Sequence, residues 1–540
     1  MRTTLVLVVA FVAALAEAVS PEMEPSVFES SAARSPEGQT DKLVLAKLAS
    51  IEPALCSDAV FVRRIYLDVI GTLPTAKEAR DFIQDPDTRN KRRQLIDNLL
   101  VRDEFADYWA MKWGDILRIK AEFPVNLWPN AAQAYHRWVR ASIAENKPYD
   151  RFVREMLTSS GSNFRVGPVN FYRAIQNRTP EGIATAVALT LMGARAESWP
   201  KERLAGMAAF FSQIGYKPTR EWKEEHVFWD LLKSSGQPTK SLSPDVAVLP
   251  TNCAPEAATF PNGKQIKLPA NRDPREVFAD WLITPKNPWF TRNIANRIWS
   301  WLLGRGIIHE PDDIRQDNPP SNPALLAYLD KELVAGRYDL KHLYRLILNS
   351  RTYQFSSVPQ ANVSQAETNF GSYALRRLEA EVLIDAINKI TGSADLYTSA
   401  IPEPFTYIPA DMPAVALADG SITSPFLALF GRSARATGME NERSNKMLPA
   451  QWLHLLNSSH IQRKLEQGPS LKALFDSGRK QPEIVEELYL TVLSRFPTPD
   501  EVKTLEECGR PGKSGRVKTR EDWVDIAWAL INSTEFLYRH

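Results

Sequence analysis

The sequence predicts a mainly α-helical protein: two helical domains joined by a Pro-rich irregular connection. Three observations carry this. Apolar residues recur at the three-to-four spacing of amphipathic helices over most of the chain. Prolines sit beside N-capping residues, where they start helices instead of breaking them. No alternating series of apolar and polar residues marks a strand-rich fold.

The N-terminus comes first. Arg2 supplies a positive charge, an apolar run covers residues 5–16, and Ala16-Glu17-Ala18 follows as a small-x-small pattern. Residues 1–18 therefore read as a cleavable signal peptide, cut near Ala18. The run is shorter than the ~20 apolar residues of a membrane span, and no later run approaches that length. The expected location is the periplasm, the cell surface or the medium. Residues 19–40, rich in Ser, Pro, Glu and Ala, read as a flexible leader.

Residues 41–235 form the first expected helical domain. Thr75-Ala-Lys-Glu78 is a capping box. Phe105, Tyr108, Trp109, Lys112, Trp113, Ile116 and Leu117 keep helical spacing, and the aromatic stripe reads as core. Thr179-Pro180 starts an apolar helix over 183–192, and helical pattern continues over 204–214. A charged helix carrying Trp222, Val227, Phe228, Trp229 and Leu232 is expected to close the domain. Residues 236–271 hold Pro238, Pro244, Pro250, Pro255, Pro261 and Pro269 and read as the connection, with a short hairpin near Phe260-Pro-Asn-Gly-Lys264. Residues 272–540 form the second helical domain. Asp273-Pro-Arg-Glu276, Asn287-Pro288, Asn322-Pro323 and Thr498-Pro-Asp-Glu501 each predict a helix start. A second irregular stretch covers 394–424.

Charge narrows the function classes. The 66 basic and 64 acidic residues leave a formal net charge of +2. That gives no electrostatic case for nucleic acid or an acidic membrane. The basic run Lys91-Arg92-Arg93 reads as a solvated helix face. Three cysteines, Cys56, Cys253 and Cys508, are too few to hold 540 residues together, so a hydrophobic core must do so.

Most catalytic signatures are missing. There is no Gly-x-Ser-x-Gly, no phosphate-binding Gly-rich Lys loop and no His-Glu-x-x-His. Cys253-Ala-Pro-Glu-Ala257 opens like a sulfatase motif but lacks its arginine. None of the seven histidines has ligand spacing on one helix face, so no metal and no cofactor is expected. Two polar clusters remain. In the first, Asn293, Asn296 and Arg297 share a helical face and precede Asp312-Asp313. In the second, Arg432 precedes Glu440-Asn-Glu442-Arg443 on a loop. The candidate binding residues are Asn293, Asn296, Arg297, Arg432 and Arg443, which suit hydroxyls or anions. The candidate acid–base residues are Asp312, Asp313 and Glu442. The competing reading is structural: buried Asn and Arg side chains fixing the Asp312-Asp313 loop by charge-assisted hydrogen bonds.

Longer strings add a resemblance. Phe61-Val-Arg-Arg-Ile-Tyr-Leu-Asp-Val-Ile-Gly-Thr-Leu-Pro-Thr75 and Ala205-Gly-Met-Ala-Ala-Phe-Phe211 resemble the planctomycete cytochrome-C-associated (PSCyt-type) domain of unknown function. Asp273-Pro-Arg-Glu-Val-Phe-Ala-Asp-Trp-Leu282, Asn293-Ile-Ala-Asn-Arg-Ile-Trp299, Arg376-Arg-Leu-Glu-Ala-Glu381, His454-Leu-Leu-Asn457 and Leu493-Ser-Arg-Phe-Pro-Thr-Pro499 are similar to its companion, the planctomycete PSD-type domain. Two departures matter. The family's Cys-x-x-Cys-His is replaced by Gly193-Ala-Arg-Ala-Glu-Ser-Trp199, and its Cys-x-Cys by positions holding Met439 and Asn441. The resemblance therefore implies no c-type haem here, and suggests that the two cysteine motifs form one site in relatives.

The expected function is a non-redox binding or scaffolding protein of the periplasm or cell surface, with an envelope protein or glycan as partner. The alternative is an enzyme acting on extracellular, sulfated polysaccharide through carboxylates of the second domain. A residual electron-transfer role is a third reading.

Overall fold

Helices start where the sequence supplies an acceptor for free N–H groups. Thr75 Oγ1 accepts from Glu78 N at 3.1 Å and Glu78 Oε2 accepts from Thr75 N at 2.8 Å, closing the capping box of Ala76–Gln84. Thr179, Asp273 and Asn322 cap the proline-initiated helices Pro180–Val187, Pro274–Leu282 and Pro323–Ala335. Thr498 and Glu501 bond reciprocally at the start of Pro499–Glu507. Asn287 works differently. Its Oδ1 accepts from Trp289 N and Phe290 N, so the helix Phe290–Leu303 begins two residues after Pro288.

These contacts come from a computed structural model that describes residues 27–30, 36–48, 52–233, 255–358, 363–507 and 518–540. The signal peptide expected at 1–18, much of the leader and of the connection, and Cys253 and Cys508 lie outside the described residues. The protein is mainly helical, with a few short strands. Among the described residues no helix is long and apolar enough to cross a membrane.

The apolar helix faces meet in one continuous hydrophobic cluster to which both helical halves contribute, from Val44 at one end to Leu537 at the other. The aromatic stripe of Asp103–Ile116 is core, as its spacing predicts: Trp109 packs 4.5 Å from Tyr344 and 5.4 Å from Trp301, and donates to Val69 O at 3.0 Å. The helix Phe290–Leu303 is buried at every residue except Arg292. It therefore presents its polar residues, as well as its apolar ones, to protein.

Polar knots lock the seams of this core. Asp68, fully buried, accepts from Tyr353 Oη at 2.9 Å, Tyr373 Oη at 2.7 Å and Arg539 Nη1 at 3.1 Å. Arg539 also bonds Glu379, and its short strand Tyr538–Arg539 pairs antiparallel with Arg376–Arg377. Arg64 donates to Tyr353 O, Phe355 O and His540 O while stacking 3.8 Å from the Tyr373 ring. At the other end, Asp41 accepts from Arg351 N, Thr352 N and Thr352 Oγ1. Residues far apart in the chain thus satisfy one another's buried polar groups.

Three expectations change. The helix expected across Trp222 to Leu232 is instead a strand, Glu225–Trp229, paired antiparallel with Ile214–Pro218 and Gly161–Ser162. Val227 is buried while the rest of the strand is partly or fully exposed, so pairing to the neighbouring strand Ile214–Pro218 and to the distant Gly161–Ser162 overrode the local spacing. The run at 183–192 is α-helical over Pro180–Val187 and then widens into a π turn, Ala188–Met192. The basic run is only partly solvated. Lys91 is buried, with Nζ donating to Phe82 O and Asp85 O and pairing Asp58 at 2.8 Å. Arg92 reaches Asp58, Gln354 and Cys56 O. The expected hairpin near Phe260 is present as Ala257–Thr259 against Gln265–Lys267.

Asp68→Ala removes one of the two carboxylates that hold Arg539 and leaves two tyrosine hydroxyls buried without their acceptor. We expect a loss of about 3–5 kcal/mol in unfolding free energy, read by urea denaturation. A change under about 1 kcal/mol would show that the knot is not a seam of the fold.

Candidate functional site

The π turn Ala188–Met192 is the first element of the site. Widening the helix frees carbonyls that an α-helix would bond internally. Arg297 takes them: Nη1 donates to Thr190 O at 2.7 Å and Nη2 to Leu189 O at 2.9 Å. Nη2 also pairs Asp312 Oδ1 at 2.6 Å, with both side chains buried. Asn293, one turn earlier, donates to the same Thr190 O at 3.1 Å. Its Oδ1 is buried without a hydrogen bond. Gly193 closes over it at φ +60°, and a Cβ there would lie 2.6 Å from that oxygen. Asn296 clamps the Ile308 backbone, donating to its carbonyl at 3.0 Å and accepting from its N–H at 2.9 Å.

The second cluster lies directly against the first. Asp312 Oδ2 accepts from Glu440 N at 2.8 Å. Glu442, two residues on, accepts from Thr437 N at 2.7 Å and Ala436 N at 3.1 Å, which folds its own loop back on itself. Arg443 lies between two buried carboxylates. It meets Asp115 Oδ2 at 2.7 Å and Glu381 Oε2 at 2.5 Å. Arg432 pairs Glu381 Oε1 at 3.2 Å, and Arg435 pairs Asp115 Oδ1 at 2.9 Å. Asp313 lies at the edge, its partner being the exposed Arg315 at 3.3 Å.

The structure thus brings Asn293, Arg297, Asp312, Arg432, Glu442 and Arg443 into one connected region, with Asn296 alongside and Asp313 at its edge. Their polar groups are taken largely by backbone and by one another. Sequence reasoning missed Asp115, Glu381 and Arg435 as site residues, and it placed Glu440 in the second cluster without giving it a role. Asp115 carried a usable signal, a lone carboxylate inside an aromatic helix, and Glu381 lay within a matched string. Nothing local marked Arg435.

The electrostatics follow from burial. Burial works against the Glu381 carboxylate, but Arg443 and Arg432 outweigh it and hold the pKa down at about 2. Burial likewise opposes the Arg443 charge, and Asp115 and Glu381 more than offset it, leaving that pKa well above the usual value. Glu440 has the opposite balance. The residue is half-buried, but Oε2 is sealed from water without a hydrogen bond. Burial, then the neighbouring Asp312 charge, push its pKa up to about 7, although Arg297 pulls it down.

The segments where the resemblance places cysteine motifs adjoin each other. Gly193 O, in the first residue of the segment 193–199, accepts from Ile314 N at 2.7 Å, and Asp312, two residues before Ile314, accepts from Glu440 N at 2.8 Å. Arg297 ties Asp312 to Leu189 O, just ahead of that segment. In this chain the junction is an arginine–carboxylate bridge.

Two pH effects follow. Glu381 stabilises the fold fully above its unfolded pKa, near 4.5, and that contribution disappears as pH falls towards 2. Glu440 acts in reverse: its raised pKa favours the protonated form, so its contribution is full below about 4.5 and is lost as pH rises to 7. Glu440→Gln should therefore match wild type at pH 5 and exceed it at pH 8 by about 1–3 kcal/mol in urea denaturation. Equal gains at both pH values would mean that Glu440 does not titrate in this range.

Sequence families agree with the order of elements. A model named PSCyt2, described as a protein of unknown function (DUF1549), matches residues 39–201. A second, PSD1, also a protein of unknown function (DUF1553), matches residues 274–508. No curated protein and no solved structure matches the chain. The chain belongs to the proteins that carry a PSCyt2 domain followed by a PSD1 domain, both of unknown function.

Proposed function

We propose that this chain is an exported, non-redox binding or scaffolding protein of the periplasm or cell surface, with a glycan as its ligand. One observation carries the reading: the polar clusters hold the frame together, while a group of aromatic rings on loops is left open to solvent. Trp128 contacts Phe405 at 5.2 Å between ring centres, and Lys223 Nζ lies 5.2 Å from the Trp222 ring and 6.0 Å from that of Trp128. Trp222 is 70% exposed, Tyr407 69% and Phe405 45%. Glu122 ties two of these loops, accepting from Ala400 N at 3.1 Å and Ser399 Oγ at 3.3 Å.

Exposed aromatic rings on anchored loops suit the apolar face of a sugar ring, whose hydroxyls stay in water. Lys223 adds a cation for a sulfate or carboxylate group. Two of the three carboxylates of the enzymatic alternative are committed to structural bonds, and the third, Asp313, pairs Arg315. Asp312 and Glu442 are engaged as acceptors for Arg297 and for backbone N–H groups. The non-redox part rests on the missing Cys-x-x-Cys-His, and export rests on residues 1–18.

Two measurements test this. N-terminal sequencing of the protein from its native cells should begin just after Ala18; an intact Met1 would remove the export reading. On an array of neutral and sulfated polysaccharides the mature chain should retain at least one acidic glycan. Trp128→Ala and Trp222→Ala should each weaken binding about fivefold, from ~1 kcal/mol per stacked ring. Absence of any retained glycan, or a double variant that binds like wild type, would overturn the glycan assignment.

A further inference from the structure

The helices Pro449–Asn457 and Ser459–Gln467 share one capping residue. Ser458 ends the first and caps the second, its hydroxyl accepting from Ile461 N at 3.3 Å. With no loop between them, the last turn of one helix stands beside the first turn of the next. His454 Nε2 thereby comes within 3.4 Å of His460 Nδ1. The other nitrogen of His460, Nε2, lies 2.8 Å from Asp395 Oδ1. Phe426 packs edge-on against both imidazoles, at 5.7 Å from His454 and 6.0 Å from His460. Both rings remain reachable from solvent, the His460 side chain being 31% exposed.

We propose that His454 Nε2 and His460 Nδ1 form a binding site for a divalent transition-metal ion of the imidazole-preferring class, such as Zn²⁺ or Cu²⁺. The separation fits. Two imidazole nitrogens at ~2.0–2.1 Å from a tetrahedral ion stand about 3.3–3.4 Å apart. The carboxylate also fits. An aspartate that holds the N–H of one ring nitrogen leaves the opposite nitrogen as a lone pair, the second-shell arrangement of metal-bound histidine. Here Asp395 holds Nε2 and leaves Nδ1 facing His454.

Without metal, His454 Nε2–H donates to His460 Nδ1. On binding, that proton moves to His454 Nδ1, which frees His454 Nε2 for the ion. Lys464 is the nearby cation. Its Nζ pairs Asp395 Oδ1 at 3.4 Å and donates to Asn388 Oδ1 at 2.6 Å, while Asp395 Oδ2 is buried without a hydrogen bond. Among the described residues no group of three or more His, Cys, Asp or Glu side chains could hold a metal. The remaining positions therefore belong to solvent, and the ion is bound reversibly.

The test uses tag-free mature protein. Titration calorimetry with ZnCl₂ at pH 7.5 should show one site with Kd in the micromolar range. Electron paramagnetic resonance of the Cu²⁺-loaded protein should show coupling to two imidazole nitrogens. His454→Gln and His460→Gln should each weaken Zn²⁺ binding at least tenfold and remove one nitrogen coupling, with circular dichroism unchanged. Asp395→Asn should weaken it about tenfold, as loss of a second-shell carboxylate does. His226→Gln, a control elsewhere on the surface, should change nothing. No Zn²⁺ heat in the wild type, or a His454→Gln/His460→Gln double variant that binds like wild type, would overturn the assignment. If the single variants lose their fold, the wild-type copper spectrum decides: fewer than two nitrogens overturns it.

Discussion

The guanidinium of Arg443 lies between Asp115 and Glu381, and much of the second half of the structure depends on that contact. Asp115 belongs to the aromatic helix Asp103–Ile116, and Glu381 to the helix Ala380–Thr391. Arg443 itself comes from a loop with no regular structure beyond a single 3-10 turn, Glu440–Glu442. Three guanidiniums, those of Arg432, Arg435 and Arg443, share these two carboxylates. The surplus positive charge is met by carbonyl oxygens: Ile119, Ala418 and Met111 accept from Arg435, and Ile422 and Asp419 from Arg432. Such a group is costly to desolvate and adds little net stability compared with a well-packed apolar core. What it adds is geometry. Removing any one member leaves others buried and unpaired, so the loop has one acceptable position.

Arg297 does the same between the two family-matched regions. The π turn at Ala188–Met192 exposes carbonyls, Arg297 covers them, and Asp312 passes the connection to the Glu440 backbone. Helix, loop and 3-10 turn are thereby joined. The surface features that remain free, the aromatic loops and the histidine pair, are carried on that frame. This division explains why the polar residues most conspicuous in the sequence are not the ones most accessible to a ligand.

Some of this was legible in the sequence and some was not. Capping boxes and Asn-Pro or Thr-Pro starts located helices because they act within four residues. The face shared by Asn293 and Arg297 was legible for the same reason. That Asp312 would meet Glu440 was not, because 128 residues separate them. The strand at Glu225–Trp229 was read as helix because its partners, Ile214–Pro218 and Gly161–Ser162, complete it only after folding. His454 and His460 escaped a search for ligand spacing because they face each other across a junction of two helices, not along one.

By itself, then, the sequence determined the helical class, the placement of many helix starts, the aromatic core and the order of the two family regions. Each depends on short-range spacing or on ordered strings of residues. Only the tertiary structure decided which charges are buried together, which aromatic rings stay exposed and which histidines meet. Those outcomes are set by packing between segments tens to hundreds of residues apart, where a side chain's partner is fixed by the whole fold and not by its neighbours in the chain.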